Sequence, residues 1–117
     1  MLKFKNTITK DFSSIKAELL GIIIFGKKQK IADPFLDKLL QKAYAQKRFN
    51  GEKKDIIAFD LSDKYLCQKI VFIGAGTEKD FDLEQARMSA CLLVRTANKA
   101  KYQQVALVVP NTTNKDN

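Results

Sequence analysis

Gly74 and Gly76, one residue apart, follow an apolar run and precede a helical pattern. In that setting glycines let the backbone approach a pyrophosphate at a helix N-terminus. The third glycine of the G-x-G-x-x-G pattern is missing. Lys79 stands in its place, and Asp80 and Asp82 set negative charge where phosphates would belong, so a strand-to-loop turn is the simpler reading. Asp80, Asp82 and Glu84 have the alternate spacing of a calcium loop's first ligands, but no glycine follows at the turning position and no distal glutamate closes the cage. Capping and the helix dipole account for acids at a helix start. Cys67 and Cys91 lie far apart with no C-x-x-C, which indicates neither a zinc site nor a redox pair. Cys91, within an apolar helical stretch, reads as a small core residue, and Cys67 as a thiol free to be exposed. Ser13, Ser14, Ser62 and Ser89 have no base to activate them, because the chain contains no histidine. These residues assign no catalytic, cofactor-binding or metal-ligating position.

Charge is the remaining chemical signal. Lys and Arg total 21 against 13 Asp and Glu, a net charge of +8, which sets up a field able to attract phosphates or acidic surfaces. The cations come in groups: Lys27, Lys28 and Lys30; Lys38, Lys42, Lys47 and Arg48; Lys53 and Lys54; Lys99 and Lys101. Nucleic-acid readers usually add clustered arginines or interleaved aromatics for stacking, and arginine occurs here only at 48, 87 and 95. A solvated lysine-rich surface is the plain reading, and a basic module for nucleic acid or a phosphorylated ligand is the alternative.

The elements that must carry these residues follow from periodicity. Residues 2–8 alternate apolar and polar positions, as an edge strand does. Leu19–Phe25 is a continuous apolar run rich in β-branched residues and ended by Gly26, the pattern of a strand covered on both faces in the middle of a sheet. Asp33 and Pro34 pair an N-cap acceptor with proline at the first helical position. Phe35, Leu36, Leu39, Leu40, Ala43 and Tyr44 then recur at helical spacing until Asn50 and Gly51 supply a stop. Strands are predicted at 55–61 and 69–74 around a turn at Ser62, Asp63 and Lys64, a link short enough for antiparallel pairing. Asp82, with Gln85 three positions on, opens a second helix in the manner of a capping box. Its apolar girth, from Leu83 through Met88, Cys91 and Leu92 to Ala97, predicts deeper burial than the first helix has. A last strand spans 104–110. The order β-β-α-β-β-α-β specifies a layered α/β domain with a mostly buried mixed sheet flanked by helices.

A chain of 117 residues has room for one such domain. At 45% hydrophobic and 29% charged residues it lies in the globular range. Its longest apolar runs fall well short of the roughly 20 residues a membrane-crossing helix needs. The N-terminus lacks the uninterrupted apolar stretch of a signal peptide, and two cysteines fit a reducing compartment, so an intracellular location is expected.

Several segments, in their order and spacing, resemble one family over almost the whole chain. These are Leu20-Gly-Ile-Ile-Ile-Phe25, Leu36-Asp-Lys-Leu-Leu40, Phe49-Asn-Gly-Glu52, Lys69-Ile-Val-Phe-Ile-Gly-Ala-Gly76, Leu83-Glu-Gln-Ala-Arg87 and Val105-Ala-Leu-Val-Val-Pro110. The resemblance is to the N-terminal domain of the leucyl (cytosol) aminopeptidases. It implies an α/β domain of macro-domain-like shape over residues 1–110, with 111–117 a polar linker toward a C-terminal catalytic domain. It further implies that the full protein is a cytoplasmic homo-hexamer. Its catalytic half would hold two divalent metal ions, zinc or manganese, through Asp, Glu and Lys, and release N-terminal residues from peptides. The catalytic Asn-Thr-Asp-Ala-Glu-Gly-Arg motif has no counterpart here, and Asn111 and Thr112 match only its first two letters. No metal or catalytic residue is therefore carried over. Macro-domain likeness also raises ADP-ribose binding, but the Asn-Ala-Ala and long glycine-run loops of such sites are missing.

Overall fold

The structure, a computed structural model, describes residues 3–6, 16–31, 33–61 and 65–109. The predicted turn at Ser62–Lys64, the strand positions 2, 7, 8 and 110, and the tail 111–117 lie outside the described residues. Seven elements appear in the predicted order. They are β1 (Lys3–Asn6), β2 (Leu19–Ile24), α1 (Pro34–Ala45), β3 (Ile56–Asp60), β4 (Lys69–Gly74), α2 (Leu83–Ala100) and β5 (Gln104–Val108). A short 3-10 turn at Glu78–Asp80, which periodicity does not reveal, leads into α2.

The sheet has the order β1-β5-β2-β4-β3. The first four strands in that order run parallel, and β3 pairs antiparallel with β4, Ile56 opposite Ile73 and Asp60 opposite Lys69. All six residues of β2 are buried, as a central strand between two parallel neighbours requires. Glu18 fixes where the parallel strands begin. Its carboxylate accepts the N–H groups of Gln103 and Gln104 at 2.6 and 3.0 Å, and its carbonyl accepts those of Gln68 and Lys69.

Alternate strand residues face two cores. On one face Leu20, Ile22, Ile24, Ile70, Phe72, Ala106 and Val108 pack with Leu36, Leu40 and Ala43 of α1, and with Phe49, Tyr65 and Cys67. On the other, Leu19, Val71, Ile73 and Val105 pack with Leu93 and Ala97 of α2. Gly21 makes room for α2, since a Cβ there would lie 2.9 Å from a Leu93 methyl carbon.

Both helix starts are built as their sequences specify. The Asp33 carboxylate accepts the N–H groups of Phe35 and Leu36 at 2.9 and 3.2 Å, with Pro34 in the first turn. The same carboxylate accepts the Tyr65 hydroxyl at 2.8 and 2.9 Å, which ties the β3–β4 connection to α1. Asp82 caps α2 through the Gln85 N–H at 2.9 Å.

The expected deeper burial of α2 is not found. Only Ser89, Leu93 and Ala97 are buried, Met88, Leu92 and Val94 are half-buried, and Leu83 is 73% exposed. The helix rests on the sheet along one stripe, and no other described helix flanks it. The cysteines are also exchanged relative to expectation: Cys67 is buried and Cys91 exposed. At 100° per residue, Cys91 lies about 200° from both Leu93 and Ser89, on the side away from the sheet. Cys67 sits where the β3–β4 connection turns back under the α1-side core.

Candidate functional site

Ligands of open α/β sheets bind outside the carboxyl ends of the strands, where successive connections leave in opposite directions. Here that place is the carboxyl end of β2. From β2 the chain goes through α1 and β3 to β4 on one side, and from β4 through α2 to β5 on the other. Three glycines in left-handed conformation meet there: Gly26 (φ 71°), Gly51 (φ 71°) and Gly76 (φ 79°). The Gly51 carbonyl accepts the N–H groups of Gly26 at 3.3 Å and Gly76 at 3.0 Å. A Cβ at Gly51 would stand 1.9 Å from the Gly26 oxygen, and one at Gly74 would stand 2.1 Å from the Glu52 oxygen. The backbones approach so closely that no side chain fits between them.

The hub uses its donors internally. Gly74 N–H donates to the Asp55 carbonyl at 2.8 Å, Ala75 N–H to Ile24 at 2.9 Å, and Gly76 N–H to Gly51. A phosphate cradle needs such N–H groups free and converging on the ligand. The Gly74-x-Gly76 turn is therefore a backbone joint. The sequence showed this turn but not its partner: Asn50 and Gly51 read only as a helix stop, although Gly51 is the residue on which the other two glycines close. A glycine shortly after each of β2, α1 and β4 was the available signal.

The acidic residues beyond the turn do not converge either. Asp80 accepts the Thr77 hydroxyl at 2.9 Å, Asp82 caps α2, and Glu84 faces Arg87 at 3.4 Å on the exposed helix surface. Among the described residues no group of three or more His, Cys, Asp or Glu is placed to hold a metal ion. Ser89 is buried on the sheet side of α2, and Ser13, Ser14 and Ser62 lie outside the described residues.

Two tyrosines brace the α1 layer. The Tyr44 hydroxyl donates to the Gly26 carbonyl at 2.8 Å, anchoring the end of α1 to the glycine hub. Burial pushes its pKa up to about 12, with the Asp37 carboxylate adding in the same direction. Burial raises Tyr65 too, and its bonds to the Asp33 carboxylate act the same way. Both hydroxyls are thus held as neutral donors. The surface around the hub is basic: Lys27, Lys28, Lys47, Arg48, Lys53, Lys54 and Lys79 are all exposed, and the Lys53 stem lies over Gly76.

Layers of this kind, with helices on both faces of a mixed sheet and close-packed glycine turns at the strand ends, define a macrodomain-like α/β domain. The macrodomain of Mycobacterium tuberculosis DarG superposes with a TM-score of 0.58 at 13% identity, covering 92% of this chain and 76% of that one, a likeness of fold. The sequence model described as "Cytosol aminopeptidase family, N-terminal domain" matches residues 24–117. The chain belongs to that family. A probable cytosol aminopeptidase of Thermosynechococcus vestitus is 26% identical over 104 residues, 82% of this chain and 21% of its own length. One from Cyanothece is 31% identical over 67% of this chain and 16% of its own length. One from Prochlorococcus marinus is 33% identical over 70% and 16%. This chain thus spans about a fifth or less of the curated relatives it matches.

Proposed function

We propose that this chain is the non-catalytic N-terminal domain of a cytosol (leucyl) aminopeptidase, and that it serves assembly of the full protein or access to its active site. The match of residues 24–117 to the N-terminal domain of that family carries this reading. Among the described residues, the N–H groups of the glycine turn are engaged in the backbone joint, Asp80 in a side-chain bond and Asp82 in a helix cap.

On this reading the full protein is a metal-dependent exopeptidase that removes N-terminal residues from peptides. Its two divalent ions, zinc or manganese, are held by a C-terminal domain, and it works in the cytoplasm as a homo-hexamer. Residues 1–110 form the domain, and 111–117 start the linker. No described helix is long and apolar enough to cross a membrane. Equilibrium dialysis against manganese and against zinc, followed by metal analysis, tests where the ions sit. The 117-residue chain retains none in stoichiometric amount, whereas the protein from the natural reading frame, extended through a catalytic domain, retains two per subunit. Stoichiometric retention by the short chain would overturn the assignment.

A further inference from the structure

The two faces of the sheet are unequally covered. Among the described residues, sixteen buried side chains form the core on the α1 side and six form the core on the α2 side. On the α1 side Ile31, Phe49, Tyr65 and Cys67, carried by connections, fill the space beside the helix. On the other side α2 lies alone. Five strands about 4.8 Å apart span about 19 Å, and one helix about 10 Å across cannot cover them. Parallel strands are ordinarily buried on both faces.

The uncovered space has an apolar wall. At about 100° per residue, Leu83, Ala90 and Val94 fall within about 40° of one another and about 60–100° round from the buried Leu93. They line one flank of α2 over about 16 Å, Leu83 73% exposed and the other two half-buried. Arg87, the cation next to this flank, is paired with Glu84 at 3.4 Å. The connection from β4 through α2 to β5 joins parallel strands, and the right-handed sense of such crossovers turns this flank toward β5 rather than β3. The floor there is apolar too: Leu107 of β5, on the α2 side, is only half-buried, and the sheet continues past it to β1. Since β5 runs parallel with β2 and β4, the polypeptide leaves it, through the exposed Val109, at the same end of the sheet as Leu83.

We infer that this groove between α2 and β5 is the docking site for an apolar segment of the polypeptide that follows the domain in the full-length protein. The inference rests on the reading of this chain as an N-terminal domain. The chain spans 16–21% of the relatives it matches, which leaves about four-fifths of such a protein to supply the occupant. Attachment through β5 holds that segment at an effective concentration of about millimolar, enough for a small apolar contact to close. A second copy of the domain has no such advantage. The four side chains of wall and floor fall well short of the roughly 20–30 residues a side that a stable interface between free proteins uses.

Maleimide labelling of Leu83→Cys, compared between the 117-residue chain and the full-length protein, tests the contact. Tryptic cleavage at Arg87 separates this thiol from the exposed Cys91, and the same label on Lys38→Cys, on the α1 layer, is the control. Circular dichroism melts verify that both variants fold. In the 117-residue chain both positions label rapidly. In the full-length protein position 83 labels only through an open state populated to about 10% or less, so about tenfold or more slowly, while position 38 keeps its rate. Equal rates at position 83 in the two proteins would overturn the inference, as would slow labelling in the short chain accompanied by a concentration-dependent dimer in sedimentation, which would assign the groove to a second copy. Metal retention by the full-length protein reports separately on the aminopeptidase reading: two ions retained with position 83 unprotected sinks the docking alone, and protection at position 83 without retained metal sinks the aminopeptidase reading alone.

Discussion

A methyl group at Gly51 has nowhere to go, because the Gly26 carbonyl oxygen occupies its place and the backbone is left-handed there. Gly51→Ala should therefore cost about 3 kcal/mol or more, read as a shift in the urea midpoint. Gly26→Ala meets the same φ of 71° but no atom within 4 Å, so only the left-handed penalty of about 1–2 kcal/mol applies. If the two substitutions cost the same, the joint is not closed by the Gly51 contact. The tyrosines give a pH signature at this scale. With folded pKa values above the ordinary value of 10, Tyr44 and Tyr65 bind more protons in the folded chain than in the unfolded one. Their contribution is complete below about pH 10 and is lost as pH rises from there through the folded values. Phenolate absorbance should therefore rise for these two only as the far-ultraviolet circular dichroism signal is lost, and Tyr44→Phe should make the alkaline loss of stability shallower. Single residues were the least legible part of the sequence. Local pattern located Gly74 and Gly76, but what they do depends on Gly51, more than 20 positions away. Cys91 was misread because its apolar neighbours Met88 and Leu92 hid that it lies opposite the Leu93 stripe.

Elements were far more legible, because each carries its own start, stop and period. Asp33 and Pro34 specify the start of α1, and Asp82 the start of α2, without any tertiary information. The caps differ in what else they hold. Asp82→Ala removes one cap, at about 1 kcal/mol. Asp33→Ala also strips the Tyr65 hydroxyl of its acceptor and should cost about 2–4 kcal/mol. Thermal melts of the two variants side by side check the difference, and equal losses would mean that the Tyr65 contact adds nothing. On α2, Leu93→Ala should cost about 2–5 kcal/mol, since its side chain fills the notch at Gly21, while Leu83→Ala should lie within about 0.5 kcal/mol of the parent. The burial of α2 could not be read from its composition. An apolar girth says what a helix can bury, and only the assembled layers say how much of it meets a neighbour.

At the scale of the molecule, the alternation of strands and helices led to the layered mixed sheet, including the antiparallel β3 beside β4 that the short link between them required. The order of strands across the sheet was not legible, because it depends on which way each connection crosses β2. The functional assignment also belongs to this scale. No residue of the chain announces an aminopeptidase. The match over residues 24–117 places the chain in the cytosol aminopeptidase family, and the chain spans only a small share of its relatives. Hydrolysis of leucine p-nitroanilide with manganese, measured for the 117-residue chain beside the protein from the full natural reading frame, tests that assignment most directly. The account predicts no turnover by the short chain and metal-dependent turnover by the long one; metal-dependent hydrolysis by the 117-residue chain itself would contradict it.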